Sequence, residues 1–510
     1  MNKHLLPASI ALALSVSIST VSHADISVTQ LGQFKETIGA CSAEDAESCT
    51  EISAYSRSAN RLYVTNAEEN GLRILEIDET GSLSENSFID LSPYGGGPNS
   101  VAVFEEFVAV AIEAETKQDK GVVVIFDLDG NPLEQIEAGA LPDMLTFTPN
   151  GQYLLVANEG EPNKAYDVDP EGSVTVIKTS DWSAVQADFK EFNDSRLKDV
   201  RIFGPNASVA QDLEPEYIAV DADSKTAWIS LQENNALAKL DIASATITDI
   251  YGLGYKKHHQ KRNAFDASNK DEGINIQSWP TQGMYQPDAI ATYERDGSTF
   301  ILTANEGDAR DYDGYSEEVR VKDLTLDAKA FPNAETLQQS AQLGRLKTTL
   351  ATGDKDQDGD HDEIYSYGAR SFSIWNQNGK QVFDSGNQFE ITIQKYAESD
   401  QANWVDSRSD DKGPEPESIT TGTIADETYA FIGAERTNDI FIYKISNPSQ
   451  PSGQAFVNLD WRPSDYANEN DPFVNDIGPE GLLFVDDKGW LIVTSEISNT
   501  VSVYKVNVTE

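Results

Sequence analysis

The chain has 510 residues, of which 38 are Lys or Arg and 85 are Asp or Glu, giving a formal charge of −47. A charge of that sign and size repels nucleic acid and anionic membrane surfaces, which argues against both as partners. Beyond the first segment no run of about 20 uninterrupted apolar residues occurs, so no membrane span is expected.

Residues 1–24 read as a signal peptide: Lys3 near the start, an apolar stretch around Ile10 to Val16, and Ser22-His23-Ala24 as a small-x-small cleavage site. Only Lys3 is lost with it, so the mature chain carries 37 basic and 85 acidic residues, a charge of −48. The expected location is outside the cytoplasm, in the periplasm or the medium, and the expected state is a monomer. In an oxidising compartment Cys41 and Cys49, the two cysteines of the chain, are expected to form a disulfide. On the loop-entropy account it stabilises by roughly 2.5 kcal/mol. The last residues read as a strand, and no anchor or sorting tail is expected.

From Glu51 onward a phrase recurs. A first signal, usually an acid after Pro, begins an apolar run, and a second signal, an Ala-Asn-Glu-like tripeptide, ends the next run. First signals are Glu51, Asn99, Asp143, Glu216, Asp288, Glu417 and Glu480. Second signals are Ala67 followed by Glu68, then Glu113, Glu159, Gln232, Glu306, Glu435 and Glu496. The two runs flank a tight turn such as Arg295-Asp296-Gly297, which predicts a hairpin with both signals at the same end. A third strand follows in each copy, at 71–77, 121–126, 173–177, 236–240, 371–375, 439–443 and 500–504. Several short strands at a period of about 40 residues or more are the signature of a propeller.

The expected fold class is therefore all-β: a seven-bladed β-propeller over residues 25–510, closed by strands from both termini, with residues 26–34 as the outer strand of the last blade. Both acidic positions should face one end of the ring. Asn99, Gln232 and Ala67 leave blades two, four and one short of acid. A metal-dependent site is thus expected toward blades three, five, six and seven.

Blade five is interrupted by an insertion at about 307–368, with an expected helix at 334–343. Near its end stands Asp354-Lys355-Asp356-Gln357-Asp358-Gly359-Asp360-His361-Asp362-Glu363. Alternating carboxylates at Asp354, Asp356, Asp358, Asp360 and Asp362, with Gly at the sixth position, match the first part of a calcium loop. Tyr365 stands where an EF-hand has its bidentate Glu, so the expectation is a structural calcium staple, against the plainer reading of a solvated acidic turn. A second patch of acids and arginines spans 406–417, and Arg436 follows Glu435 in blade six. His258 and His259 fall in a basic run read as a solvated loop, while Trp279 and Trp404 lie in loops where a ligand could stack. No Gly-x-Ser-x-Gly elbow, Gly-rich phosphate loop or His-Glu-x-x-His motif is present.

Leu62-Tyr63-Val64-Thr65-Asn66 resembles the signature of YVTN propeller repeats. Residues 304–314 and 316–323, the Asp-rich loop, Gly368-Ala369-Arg370-Ser371-Phe372-Ser373-Ile374-Trp375 and Gly413-Pro414-Glu415-Pro416-Glu417 together resemble the bacterial choice-of-anchor I proteins, over essentially the whole mature chain. That family comprises secreted or surface propellers labelled alkaline-phosphatase-like or related to esterase-like phytases. The resemblance implies a phosphoesterase with calcium as cofactor and a phosphate-ester small molecule, or another surface ligand, as partner. Such chemistry needs carboxylates to hold calcium, arginines for the phosphate oxygens and a metal-activated water. Carried onto this chain, the implied metal ligands are Glu159, Asp288, Glu306, Asp308, Glu417, Glu435, Glu480 and Glu496, and the implied catalytic arginines are Arg310, Arg370, Arg408 and Arg436. A fold does not fix a function. The same acids can bond backbone amides and the same arginines can neutralise them, which leaves a non-catalytic propeller binding a protein, glycan or metal as the other class. A lactonase-like propeller would need paired histidines at repeat positions, and none occur.

Overall fold

The computed structural model describes residues 25–42, 48–400, 405–459 and 475–509; the signal-peptide segment and Trp404 lie outside them. Among the described residues the chain forms seven four-stranded antiparallel sheets and one five-stranded sheet. The first sheet runs Ser53–Ser56, Arg61–Asn66, Gly71–Ile77 and Leu83–Asp90. Six more repeat the plan, with first strands Gly97–Phe104, Pro142–Phe147, Pro215–Val220, Ile290–Arg295, Pro416–Ile424 and Pro479–Val485. Third strands fall within one residue of their expected bounds, save that the last, Thr500–Thr509, runs further. Asp25–Lys35 pairs antiparallel with Thr500–Thr509, so the seventh sheet contains strands from both ends of the described chain.

Middle strands such as Phe107–Glu113 are buried on both faces, which is why they read as unbroken apolar runs rather than an alternation. Their side chains fill the spaces between consecutive sheets. Val110 and Val124 lie between the first and second sheets, Leu155 and Ile229 between the third and fourth, and Ile374 and Ile432 between the fifth and sixth. Leu62, Val64, Ile492 and Val503 fill the space between the seventh sheet and the first. The first strands of all seven sheets line a cavity of about 400 Å³. Sheets packed face to face around a shared channel are the arrangement of a β-propeller.

The insertion is not a free excursion. Its strands Glu318–Arg320, Lys347–Thr349 and Tyr365–Ser366 join Tyr255–Lys257 and Gln282–Met284, from the segment ahead of the fifth sheet, in the five-stranded sheet. Phe265, Trp279, Val321, Phe331 and Leu346 give this part a core of its own. The structure departs from three expectations. Trp279 is buried and its Nε1 donates to the Phe265 carbonyl at 3.0 Å, so it does not face a ligand. His258 is buried with Nδ1 2.7 Å from the Asn263 carbonyl oxygen, and buried Lys256 donates to the carbonyls of Ala369 and Gly386, although His259 is exposed. The helix expected at 334–343 is a single turn, Ala334–Leu337. Cys41 and Cys49 are disulfide-bonded. No helix among the described residues is long and apolar enough to cross a membrane.

Candidate functional site

Proline has no amide hydrogen to give to a ladder and sits at the start of a strand. At the first signals the pairing register shifts just after it: between Pro98 and Ser100, Pro142 and Leu145, Pro215 and Ile218, Pro416 and Ile419, and Pro479 and Gly481. Such a bulge re-aims the residue it carries. Asn99, Asp143 and Glu480 sit within these shifts and, with Glu51, Asp288 and Tyr217, line one cavity of about 160 Å³.

The second signal is fixed differently. Asn158 accepts from the Gly139 amide at 2.9 Å and donates to Thr175 Oγ1 at 2.9 Å, and Asn305 donates to Ser373 Oγ at 2.9 Å. The asparagine stitches the end of the second strand to the third, and the following Glu leaves the sheet at that end. Second-signal acids thereby meet the first-signal acids of the next sheet. Glu159, Glu216 and Glu233 each offer an oxygen within 4.8 Å of the others; so do Asp288, Glu306 and Glu417, and likewise Glu306, Glu415 and Glu435. Oxygens on opposite sides of a calcium ion, each about 2.4 Å from it, stand about 4.8 Å apart, so each group fits round one ion.

Burial dominates the electrostatics of this face, with mutual repulsion added. It pushes the carboxyls of Asp143 and Glu233 up to about 7 and those of Glu51 and Glu435 up to about 8. Glu159, Glu216, Asp288, Glu417 and Glu480 lie well above the ordinary range for the same reason. A buried carboxyl with like-charged neighbours must hold a proton or gain a cation.

One part of the face has its cations built in. Lys412 Nζ lies 2.5 Å from Glu306 Oε1, 3.4 Å from Glu415 and 3.6 Å from Asp308. Arg436 reaches Glu435 at 2.7 Å and Glu415 at 3.5 Å, and Arg408 reaches Glu415 at 2.7 Å and Asp411 at 3.1 Å. Glu415 is fully buried and has φ 54°, a left-handed conformation that costs an ordinary residue about 1–2 kcal/mol. Three basic side chains around it offset that strain. Gln232 Nε2 donates to the other oxygen of Glu306 at 2.9 Å.

The four arginines expected to hold phosphate separate into two kinds. Arg408 and Arg436 stand on the acidic face, each about a third exposed. Arg310 and Arg370 are buried, and their donors are turned onto protein partners. Arg310 pairs with Asp212 and with Glu214, the latter at 2.9 Å, and covers the Phe203 ring. Arg370 pairs with Glu390 at 2.9 Å and donates to the carbonyls of Asp266, Ser409 and Asp411 at 2.7–2.8 Å, which pins the loop that carries Lys412. Asp308, Glu480 and Glu496 belong to none of the converging groups, although Glu480 lines the smaller cavity. Lys412, Glu415, Glu216 and Glu233 are not among the site residues expected from the sequence. Their signal was present only as the repeat position of Glu216 and the density of charge across 406–417.

In the Asp-rich loop Asp354, Asp356 and Asp362 converge within 4.8 Å, and Asp358 and Asp360 are not part of that group. Asp354 accepts from the amides of Asp358 at 3.2 Å and Gly359 at 3.0 Å, and Gly359 has φ 101°, a conformation open to glycine.

A model of the choice-of-anchor I domain matches residues 51–448, and the chain belongs to that family. Gigasin-3a of Magallana gigas is 34% identical over 123 residues, 22% of this chain and 43% of that protein. The mesenchyme-specific cell surface glycoprotein of Strongylocentrotus purpuratus is 27% identical over 322 residues, 52% of this chain and 41% of that protein. The chain thus spans less than half the length of these relatives. Among solved structures, hydrazine synthase of Kuenenia stuttgartiensis aligns with a TM-score of 0.47 at 13% identity, covering 91% of this chain and 98% of that one. The Pan2 WD40 domain of Neurospora crassa aligns at 0.45 and 10% identity, covering 96% and 98%.

Proposed function

We propose that this choice-of-anchor I protein is a secreted, calcium-binding, seven-bladed propeller that hydrolyses phosphate esters on the acidic face of its channel. The closed ring of seven blades is supported by the apolar contacts between the seventh and first sheets and by the pairing of Asp25–Lys35 with Thr500–Thr509. Secretion is supported by the disulfide and the family.

The observation that carries the enzymatic reading is the convergence of Asp288, Glu306 and Glu417 within 4.8 Å beside Lys412, with Arg408 and Arg436 on the adjoining Glu415. The three carboxylates would hold calcium, which when bound supplies Lewis acidity toward a phosphoryl oxygen and a more acidic water. Arg408 and Arg436 would take the remaining phosphate oxygens, exchanging part of their pairing with Glu415 and Glu435 for the substrate. Lys412 holds Glu306 in place and offsets the charge of the group when no ion is there. Arg370 acts on this site as a positioning residue, through the 409–411 backbone.

A second reading, a non-catalytic propeller that binds a ligand through the same face, is favoured by the fact that Lys412, Arg408 and Arg436 are all paired with protein carboxylates. Phosphatase and phosphodiesterase assays of the mature protein, with calcium and after chelation, separate the two. Calcium-dependent turnover that Arg436→Met weakens mainly through KM supports the enzyme. No calcium-dependent turnover on a broad panel of esters overturns it.

A further inference from the structure

Where the third sheet faces the fourth, three carboxylates meet with no basic partner. Glu159 follows the second strand of the third sheet, Glu216 lies in the first strand of the fourth, and Glu233 follows that sheet's second strand. Their oxygens lie within 4.8 Å of one another. Glu233 is 6% exposed and its Oε2 accepts no hydrogen bond; Glu216 is 9% exposed and its Oε2 accepts none either. The basic groups that act on this cluster are committed elsewhere. Arg310 is held by Asp212 and Glu214, Arg201 by Glu317, and Lys117 by Glu113 at 3.5 Å.

Buried carboxylate oxygens without donors are costly, and an arrangement that collects several of them must be neutralised by protons or by a cation in their midst. We infer that Glu159, Glu216 and Glu233 form a cation site for calcium, separate from the group around Glu306. All the ligand atoms are hard oxygens, which suit calcium or magnesium rather than a thiophilic metal. Three protein oxygens leave room for water in a calcium shell of six to eight, with no demand for the octahedral regularity that magnesium imposes.

The place of the site gives it a task. Glu216 is two residues beyond Glu214, which receives Arg310 from the insertion at 2.9 Å. The backbone carbonyl of Glu233 accepts from Arg201 at 2.7 Å, and Arg201 pairs with Glu317 of the insertion. An ion here fixes both anchor points of the insertion on the fourth sheet. This role holds whether or not the neighbouring group hydrolyses anything.

Calorimetric titration of the calcium-free mature protein with calcium tests the site. The double variant Glu216→Gln, Glu233→Gln is expected to bind one ion fewer than wild type, and Asp288→Asn is expected to keep that ion. Unchanged stoichiometry and affinity in a double variant that circular dichroism shows to be folded would overturn the site. Wild-type crystals soaked in terbium at pH 8 need no variant. An anomalous peak among the three carboxylates is expected, and its absence where the Asp354, Asp356 and Asp362 group carries one would show that protons, not a metal, neutralise the cluster. Hydrogen exchange over 307–320 is expected to quicken at least tenfold in the double variant, and unchanged exchange would refute the anchoring role.

Discussion

Glu159 with Glu216 and Glu306 with Glu417 occupy matching places in the repeat, a second-signal acid against the first-signal acid of the next sheet. What differs is the counter-charge. Lys412 reaches Glu306 at 2.5 Å from a loop that Arg370 pins in place, whereas the basic residues near Glu159 are taken up by other acids. The repeat therefore sets where carboxylates stand, and the segments between repeats set their charge balance. A group with its own ammonium can bind an anion beside a cation; a group without one can only collect cations or protons.

The sharpest test of this division is to remove a supporting arginine. Arg310→Met leaves Asp212 and Glu214 buried without their cation, and breaking a buried pair from one side costs about 3–5 kcal/mol. Urea denaturation of the calcium-bound protein should show that loss, with a similar loss for Arg370→Met. If Arg310 instead served substrate, activity would fall while stability held, and the two kinds of arginine would collapse into one.

Lys412→Met acts on the comparison itself, since it makes the Glu306 group resemble the Glu159 group. Lys412 retains some exposure, so an unfolding penalty of about 2 kcal/mol in chelator is expected, less than for a fully buried pair. Calcium should then bind the Asp288, Glu306 and Glu417 group about tenfold more tightly and recover most of the stability. Calorimetry that shows weaker calcium binding would mean that Lys412 shapes the site rather than competing for it.

Much of this frame was legible in the sequence, and the limits have physical causes. The hairpin signals could be read because Pro cannot join a ladder interior and because Asn158 and Asn305 are tied by short-range bonds that need those side chains. The five-stranded sheet could not be read, since strands as short as Tyr365–Ser366 have no periodicity, and the pairing of Gln282 with Tyr365 joins distant segments. Charge was visible at Arg310, Arg370 and His258, but direction was not. Whether a side chain turns inward depends on partners such as Asp212, Glu390 and the Asn263 carbonyl, which only the fold brings near. The same holds for Lys412 and Glu415, which gain their meaning from Glu306 and Arg436.

The channel end of the comparison can be sharpened with pH. The Glu51 carboxyl titrates near 4.5 in the unfolded chain and is pushed by burial up to about 8 in the folded one. The folded protein thus holds a proton that the unfolded chain has lost, and the stability this group contributes is fully present below about 4.5 and lost as the pH rises toward and through about 8. Asp143, pushed up to about 7, adds to the same slope. Without calcium, melting temperature should fall between pH 5 and 8.5, and Glu51→Gln should make that fall shallower. Calcium should flatten it in wild type, because it favours the ionised face. A Glu51→Gln profile parallel to wild type would mean that the glutamate is already ionised in the folded protein.

The smallest effects are expected in the Asp-rich loop, where the carboxylates are exposed or only half-buried and cost little to leave unpaired. Asp354, Asp356 and Asp362 converge while Asp358 is not part of that group, so position within one loop separates candidate ligands from their neighbour. Asp356→Ala should remove one calcium ion in calorimetry and change stability in chelator by less than about 0.5 kcal/mol, as surface substitutions usually do. Asp358→Ala should keep that ion with a several-fold weaker affinity, because Asp358 contributes to the turn through its Oδ1 contact with the Asp360 amide at 3.2 Å. Equal and complete loss in both variants would mean that the loop closes further round the ion than its converging aspartates indicate, drawing Asp358 in as a ligand. No loss in either would make it a solvated turn.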